Sequence, residues 1–102
     1  DVLVLPMTSD LGPSVAAATA LRDAGVRTQI YAEQKKFKQK ISYADKLGIP
    51  YVVFLGEDEI NAGVVACKDM KTGEQTKLEP AATIYRIKAG LAELEKGSVI
   101  LG

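Results

Sequence analysis

Side chains capable of covalent or metal chemistry are scarce in this sequence. It contains no histidine and a single cysteine, Cys67. There is therefore no imidazole to act as a general base, no ordinary Cys/His zinc set and no internal disulfide. Cys67 follows Val64, Val65 and Ala66 and reads as a small buried hydrophobe rather than a nucleophile. Gly12, Gly25, Gly48, Gly56 and Gly63 match neither the P-loop spacing nor the dinucleotide fingerprint, so no phosphate cradle is expected. No catalytic residue is assigned to this chain.

What remains is charge. Lys35, Lys36, Lys38 and Lys40 open a helical segment, where cations oppose the helix dipole and a phosphate partner would offset the cost. Their spread places them on the solvent side of a Phe37/Ile41 stripe, where they can follow an RNA backbone. Glu57, Asp58 and Glu59 form an acidic cluster just past an apolar strand, at a sheet end of the kind where α/β folds bind ligands. A carboxylate suits one RNA task, because the Watson–Crick edge of guanine presents two adjacent N–H donors that it can accept together. Lys68 and Asp69 end the following strand and can share that face. The ordinary alternative for both clusters is a solvated surface.

The elements that position these groups follow from periodicity. Val2 to Leu5 reads as a buried strand. Ala17, Ala18, Leu21 and Ala24 mark one face of a helix over 13–24, ended by Gly25. Residues 26–31 alternate as a partly exposed strand. Phe37, Ile41, Ala44 and Gly48 define a second helix over 35–47. Ile49-Pro50 stops it, and Tyr51 to Leu55 follows as a central strand covered on both faces. Residues 57–63 read as a polar loop or short helical turn. Val64 to Lys68 is a strand, joined by a turn at Gly73 to a short strand over 75–78. Pro80 opens a third amphipathic helix, carried by Ile84, Ile87, Leu91 and Leu94 and ended by Gly97. Val99, Ile100 and Leu101 are left as a tail that can pair at a sheet edge. The order implies an α/β fold with a partly parallel sheet flanked by helices.

Bulk properties agree. At 102 residues there is room for one core, and 47% hydrophobic with 25% charged residues is a folding, not a disordered, composition. Lys plus Arg and Asp plus Glu each number 13, so any nucleic-acid site must be local rather than a global field. The longest apolar runs are about five or six residues, far short of the roughly 20 a membrane span needs. The chain starts without Met and enters a strand at once, which reads as an excised piece of a longer protein. A reducing cytoplasm is the expected compartment.

Several segments together resemble a known family. They are Lys36-Phe37-Lys38-Gln39-Lys40, Tyr43-Ala44-Asp45-Lys46-Leu47-Gly48-Ile49-Pro50-Tyr51-Val52-Val53, Gly56-Glu57-Asp58-Glu59, Val64 to Met70 and Thr72-Gly73-Glu74-Gln75. With the opening Val2 to Pro6 and the Leu21 to Val26 helix exit, nearly all of residues 1–102 is similar to the carboxy-terminal anticodon-binding domain of histidyl-tRNA synthetases, class II enzymes. The resemblance implies a mixed five-stranded sheet with three helices. It implies binding of the anticodon loop of a histidine-accepting tRNA, whose GUG anticodon contains two guanines. By correspondence with the threonyl and prolyl enzymes, Glu59 and Lys68 would meet anticodon bases. The segment from Glu33 through Lys36 and Lys38 to Lys40 would flank the loop. Lys68 stands where several relatives use arginine, and lysine lacks the bidentate fork that reads a guanine edge.

The same resemblance implies a catalytic domain elsewhere in the longer chain, which would bind ATP and Mg and attach histidine to tRNA, most simply as a homodimer. No cofactor is expected in the present piece. The competing reading is a regulatory domain that keeps the synthetase-like fold without charging tRNA, as in histidine-biosynthesis regulatory subunits. The intact turn from Lys68 to Gln75 and the basic helix start favour the synthetase.

Overall fold

A computed structural model describes residues 1–33 and 35–101, with side chains described for 1–33 and 35–94. In chain order the elements are β1 (Val2–Pro6), α1 (Gly12–Asp23), β2 (Thr28–Ile30), α2 (Phe37–Lys46), β3 (Tyr51–Leu55), α3 (Glu57–Ala62), β4 (Val65–Asp69), β5 (Gln75–Leu78) and α4 (Pro80–Leu101). The five strands form one sheet in the order β2-β1-β3-β4-β5. β1 runs parallel to both β2 and β3, whereas β4 is antiparallel to β3 and to β5. The mixed sheet is thus as expected, with β3 at its centre.

The chain steps from β1 outward to β2 and then back across β1 to β3. With right-handed crossovers, opposite steps place their helices on opposite faces, and the core divides accordingly. On one face Val2, Val4, Tyr51, Val53, Leu55, Val65 and Cys67 pack against Ala18 and Leu21 of α1 and Ile87 of α4. On the other, Leu3, Leu5 and Val52 meet Ala44 of α2, with Phe37, Ile41, Phe54 and Tyr31 alongside. Strand alternation explains the partition, since successive side chains point to opposite faces.

Local chemistry sets the helix ends. The Gly12 N–H at the start of α1 donates to Asp10 Oδ1 at 2.9 Å, and Pro13 beside it has no N–H to satisfy. α2 ends where Gly48 takes φ +68°, so that the Ile49 N–H can reach the Ala44 carbonyl at 3.0 Å, a C-terminal turn that L side chains disfavour.

Two expectations need correction. The segment after β3 forms the helix α3, giving four helices rather than three. α4 does not stop at Gly97 but continues to Leu101, so Val99, Ile100 and Leu101 are helical and do not pair with the sheet. One glycine inside a helix costs only about 1 kcal/mol, too little to end a helix that helix-forming residues flank. The side chains of residues 95–101 lie outside the described set.

Candidate nucleic-acid interface

The helices cover the sheet unevenly. α2 packs over the β1/β3 half of its face, while on the β4/β5 half Gln75 and Lys77 are exposed and Lys68 is half-buried. Register fixes what lines that half. Ala66 lies opposite Phe54 on one side and Lys77 on the other, while Lys68 lies between Val52 and Gln75. Two rows therefore run across three strands, Phe54-Ala66-Lys77 and Val52-Lys68-Gln75. They are two residues apart along each strand, or roughly 6.6 Å. Val52 and Ala66 are buried, so the accessible part of this face is the polar and cationic strip of half-buried Lys68 with exposed Gln75 and Lys77.

α2 borders this strip at its N-terminus. The Phe37 ring meets the Phe54 ring edge-on at a centroid distance of 5.0 Å. Lys36 and Lys38, on either side of Phe37, are exposed, and no acidic residue occupies the first turn of α2. The helix start therefore carries unneutralised positive charge from both its side chains and its dipole. Its first amides are partly served from within, because the Lys36 N–H donates to Gln39 Oε1 at 3.3 Å.

Lys40 does not join them. It is 5% exposed and its Nζ donates to the Pro6 carbonyl at 3.4 Å, so the expectation of a solvent-side cation is overturned. The signal is in the spacing: position 40 lies three residues after Phe37 and four before Ala44, inside the apolar stripe. The aliphatic stem packs there, and the ammonium finds the end of β1. Glu33 sits in the loop before α2, exposed and 3.9 Å from Lys35 Nζ; neighbouring Gln34 lies outside the described residues.

Glu59 also differs from its expected place. It occupies the third position of α3 and is 8% exposed. Its Oε1 accepts the Gly56 N–H at 2.8 Å, and its Oε2 lies 3.2 Å from Lys77 Nζ. The Gly56 hydrogen bond, opposed by burial and aided by Lys77, holds the carboxyl below its usual range. Both oxygens are thus engaged inside the protein, and Glu59 is not a free acceptor for a base. Glu57 and Asp58, in the same first turn of α3, are exposed. Sequence reasoning missed Lys77, whose ion pair with Glu59 depends on β5 pairing with β4 in this register. It remains well exposed, with 62% of its side chain accessible.

On the opposite face Cys67 is buried, and the desolvation raises its thiol pKa to about 11. It is an inert core residue, as expected.

Comparison with known proteins identifies relatives over most of the chain. Residues 1–90 match the family model described as "Anticodon binding domain". The chain is 38% identical over 86 residues to the histidine–tRNA ligase of Clostridium tetani (strain Massachusetts / E88), covering 84% of this chain and 20% of that protein. It is 37% identical over 90 residues to the histidine–tRNA ligase of Thermococcus kodakarensis, covering 85% and 21%. A crystal structure of histidyl-tRNA synthetase from Nostoc sp. PCC 7120 superposes with a TM-score of 0.83 at 32% identity, covering 88% of this chain and 22% of that one. The chain thus spans about a fifth of the length of these relatives. The match of the family model across residues 1–90, with these relatives, places the chain in the anticodon-binding-domain family.

Proposed function

We propose that this chain is the anticodon-loop-binding domain of a histidine–tRNA ligase. In the whole enzyme it holds a histidine-accepting tRNA while a catalytic domain of the same protein attaches histidine in an ATP-dependent reaction. The observation that carries the reading is the accessible strip of the sheet face formed by Lys68, Lys77 and Gln75, with exposed Lys36 and Lys38 at its border. Unpaired loop bases need a flat surface, and their phosphates need cations beside it.

Roles divide by chemistry. Lys36, Lys38 and Lys68 neutralise phosphates, each adding about 0.7 to the log–log salt slope for single-stranded RNA. The exposed carboxylates Glu57 and Asp58 are placed to accept from a guanine edge of the GUG anticodon. Glu59 contributes indirectly by fixing the start of α3 and steadying Lys77, Glu33 lines the approach, and Lys40 anchors α2 to β1.

Among the described residues no group of three or more His, Cys, Asp or Glu side chains is placed to hold a metal ion. ATP and magnesium are assigned to the remainder of the enzyme. A homodimeric, cytoplasmic ligase completes the proposal; among the described residues no helix is long and apolar enough to cross a membrane.

The test is a titration of the chain with a labelled GUG anticodon stem-loop and with a stem-loop of unrelated anticodon, over a range of salt. The GUG loop should bind more tightly, with a slope that falls by about 0.7 for Lys68→Gln. Equal and negligible binding of both loops would refute the assignment.

A further inference from the structure

On the outer flank of α2, away from the accessible sheet strip, an aromatic pair stands in a cationic groove. The rings of Tyr31, just past β2, and Tyr43, on α2, stack at a centroid distance of 4.5 Å and an interplanar angle of 29°. Tyr43 is still 37% exposed although one face of its ring lies on Tyr31. The groove around the pair has a volume of about 390 Å³ and is lined further by Lys35, Lys38, Gln39, Ser42 and Lys46.

Helical spacing assembles these walls. Lys38, Ser42 and Lys46 recur every four residues on the side of α2 opposite the Phe37, Ile41 and Ala44 stripe. Lys38 and Lys46 are about 12 Å apart along the axis, with Tyr43 between them. Lys35 has Glu33 as a distant partner, but among the described residues neither Lys38 nor Lys46 has an ion-pair partner. Tyr43 thus ties the end of β2 to α2 on one side and, still partly exposed, stands beside two lysines that have no ion-pair partner among the described residues.

We infer that this groove is a second RNA subsite, in which one unpaired base stacks on the Tyr43 ring while its flanking phosphates lie on Lys38 and Lys46. Aromatic stacking accepts any base, so the subsite adds affinity without reading sequence. An acidic peptide would satisfy the lysines but would leave the aromatic face unused, which is why RNA is the favoured occupant. The inference rests on the RNA-binding reading above, shares Lys38 with it and extends it along the outer flank of α2.

The experiment follows the chain by fluorescence anisotropy with labelled hexaadenylate and with the GUG stem-loop, and records the tyrosine ring protons by NMR. Tyr43→Leu should weaken hexaadenylate binding about 5- to 100-fold, and Tyr43→Phe, which keeps the ring, should recover most of that loss. Lys46→Gln should lower the salt slope by about 0.7, and RNA should shift the Tyr43 ring signals in the unaltered chain. Unchanged affinity in Tyr43→Leu, with still ring signals, would overturn the subsite. If Lys68→Gln then weakens the stem-loop while Tyr43→Leu does not, only the subsite falls. If the unaltered chain binds neither RNA, both readings fall. Displacement of hexaadenylate by an Asp/Glu-rich peptide as readily as by unlabelled RNA would overturn it in favour of a protein partner.

Discussion

Replacing Gly90 by alanine reverses a rule that holds in most helices. Gly90 lies within α4, where alanine normally stabilises by about 1 kcal/mol. Here a Cβ would stand 1.7 Å from Tyr51 Oη, 2.7 Å from Cζ and 3.3 Å from Cε2, whereas carbon contacts relax at about 3.5–4.0 Å. Tyr51 cannot yield cheaply, because it begins the central strand β3, is 8% exposed and belongs to the core of that face. The least costly relief swings the phenol outward and forfeits about 1.5–3 kcal/mol of burial. Set against the propensity gain, the net loss is about 0.5–2 kcal/mol, which lowers Tm by roughly 2–16 °C in a domain of this size.

Thermal and urea unfolding of Gly90→Ala against the unaltered chain measures this directly. Tyr51→Phe should not rescue it, since Cζ alone already clashes. In a Tyr51→Leu background the offending ring atoms are gone, so Gly90→Ala should become neutral or stabilising, with a coupling energy of about 1.5–3 kcal/mol. An increase in Tm for Gly90→Ala alone would refute the reasoning.

Three further outcomes are expected. Because the Glu59 carboxyl is held below its usual range, it adds stability that is complete above the ordinary carboxylate pKa and lost as pH falls through the depressed folded value. Glu59→Gln should therefore flatten the acid limb of a stability-versus-pH curve, while Glu59→Ala, which also leaves the Gly56 N–H without its acceptor, should cost about 1 kcal/mol more near neutrality. Cys67, buried with a pKa of about 11, should resist thiol reagents at pH 8 until the chain unfolds, which a mass-spectrometric labelling course across urea concentrations will record. Lys40→Ala should destabilise by about 1–2 kcal/mol through lost packing yet leave the salt slope of RNA binding intact, whereas Lys36→Gln should do the reverse.

Most of the architecture was legible along the chain because local rules govern it. Alternation marks a strand, a stripe marks a helix, and Gly48 followed by Ile49-Pro50 ends a helix wherever it occurs. The poverty of catalytic groups was equally plain, since a missing histidine needs no fold to interpret. The position of Lys40 was legible too, for its spacing from Phe37 and Ala44 puts it in the core stripe, but its charge argued for solvent. A long aliphatic stem resolves that conflict by packing inward while its head finds a carbonyl.

What tertiary structure alone decided was which distant residues meet. α3 has six residues, too few for periodicity to declare it, so the role of Glu59 as an internal acceptor stayed hidden. Its second partner, Lys77, comes from a strand eighteen positions on and is brought there by the β4/β5 register. The Tyr31–Tyr43 stack likewise joins the end of β2 to the flank of α2, and the Tyr51 phenol, which leaves no room for a Cβ at Gly90, joins β3 to α4. Sequence by itself determined the elements and the charges each one carries, because both depend on neighbours within a turn or a pleat. The site depended on the crossover that puts α2 over only half of one sheet face, and that coverage follows from the order in which five strands pair.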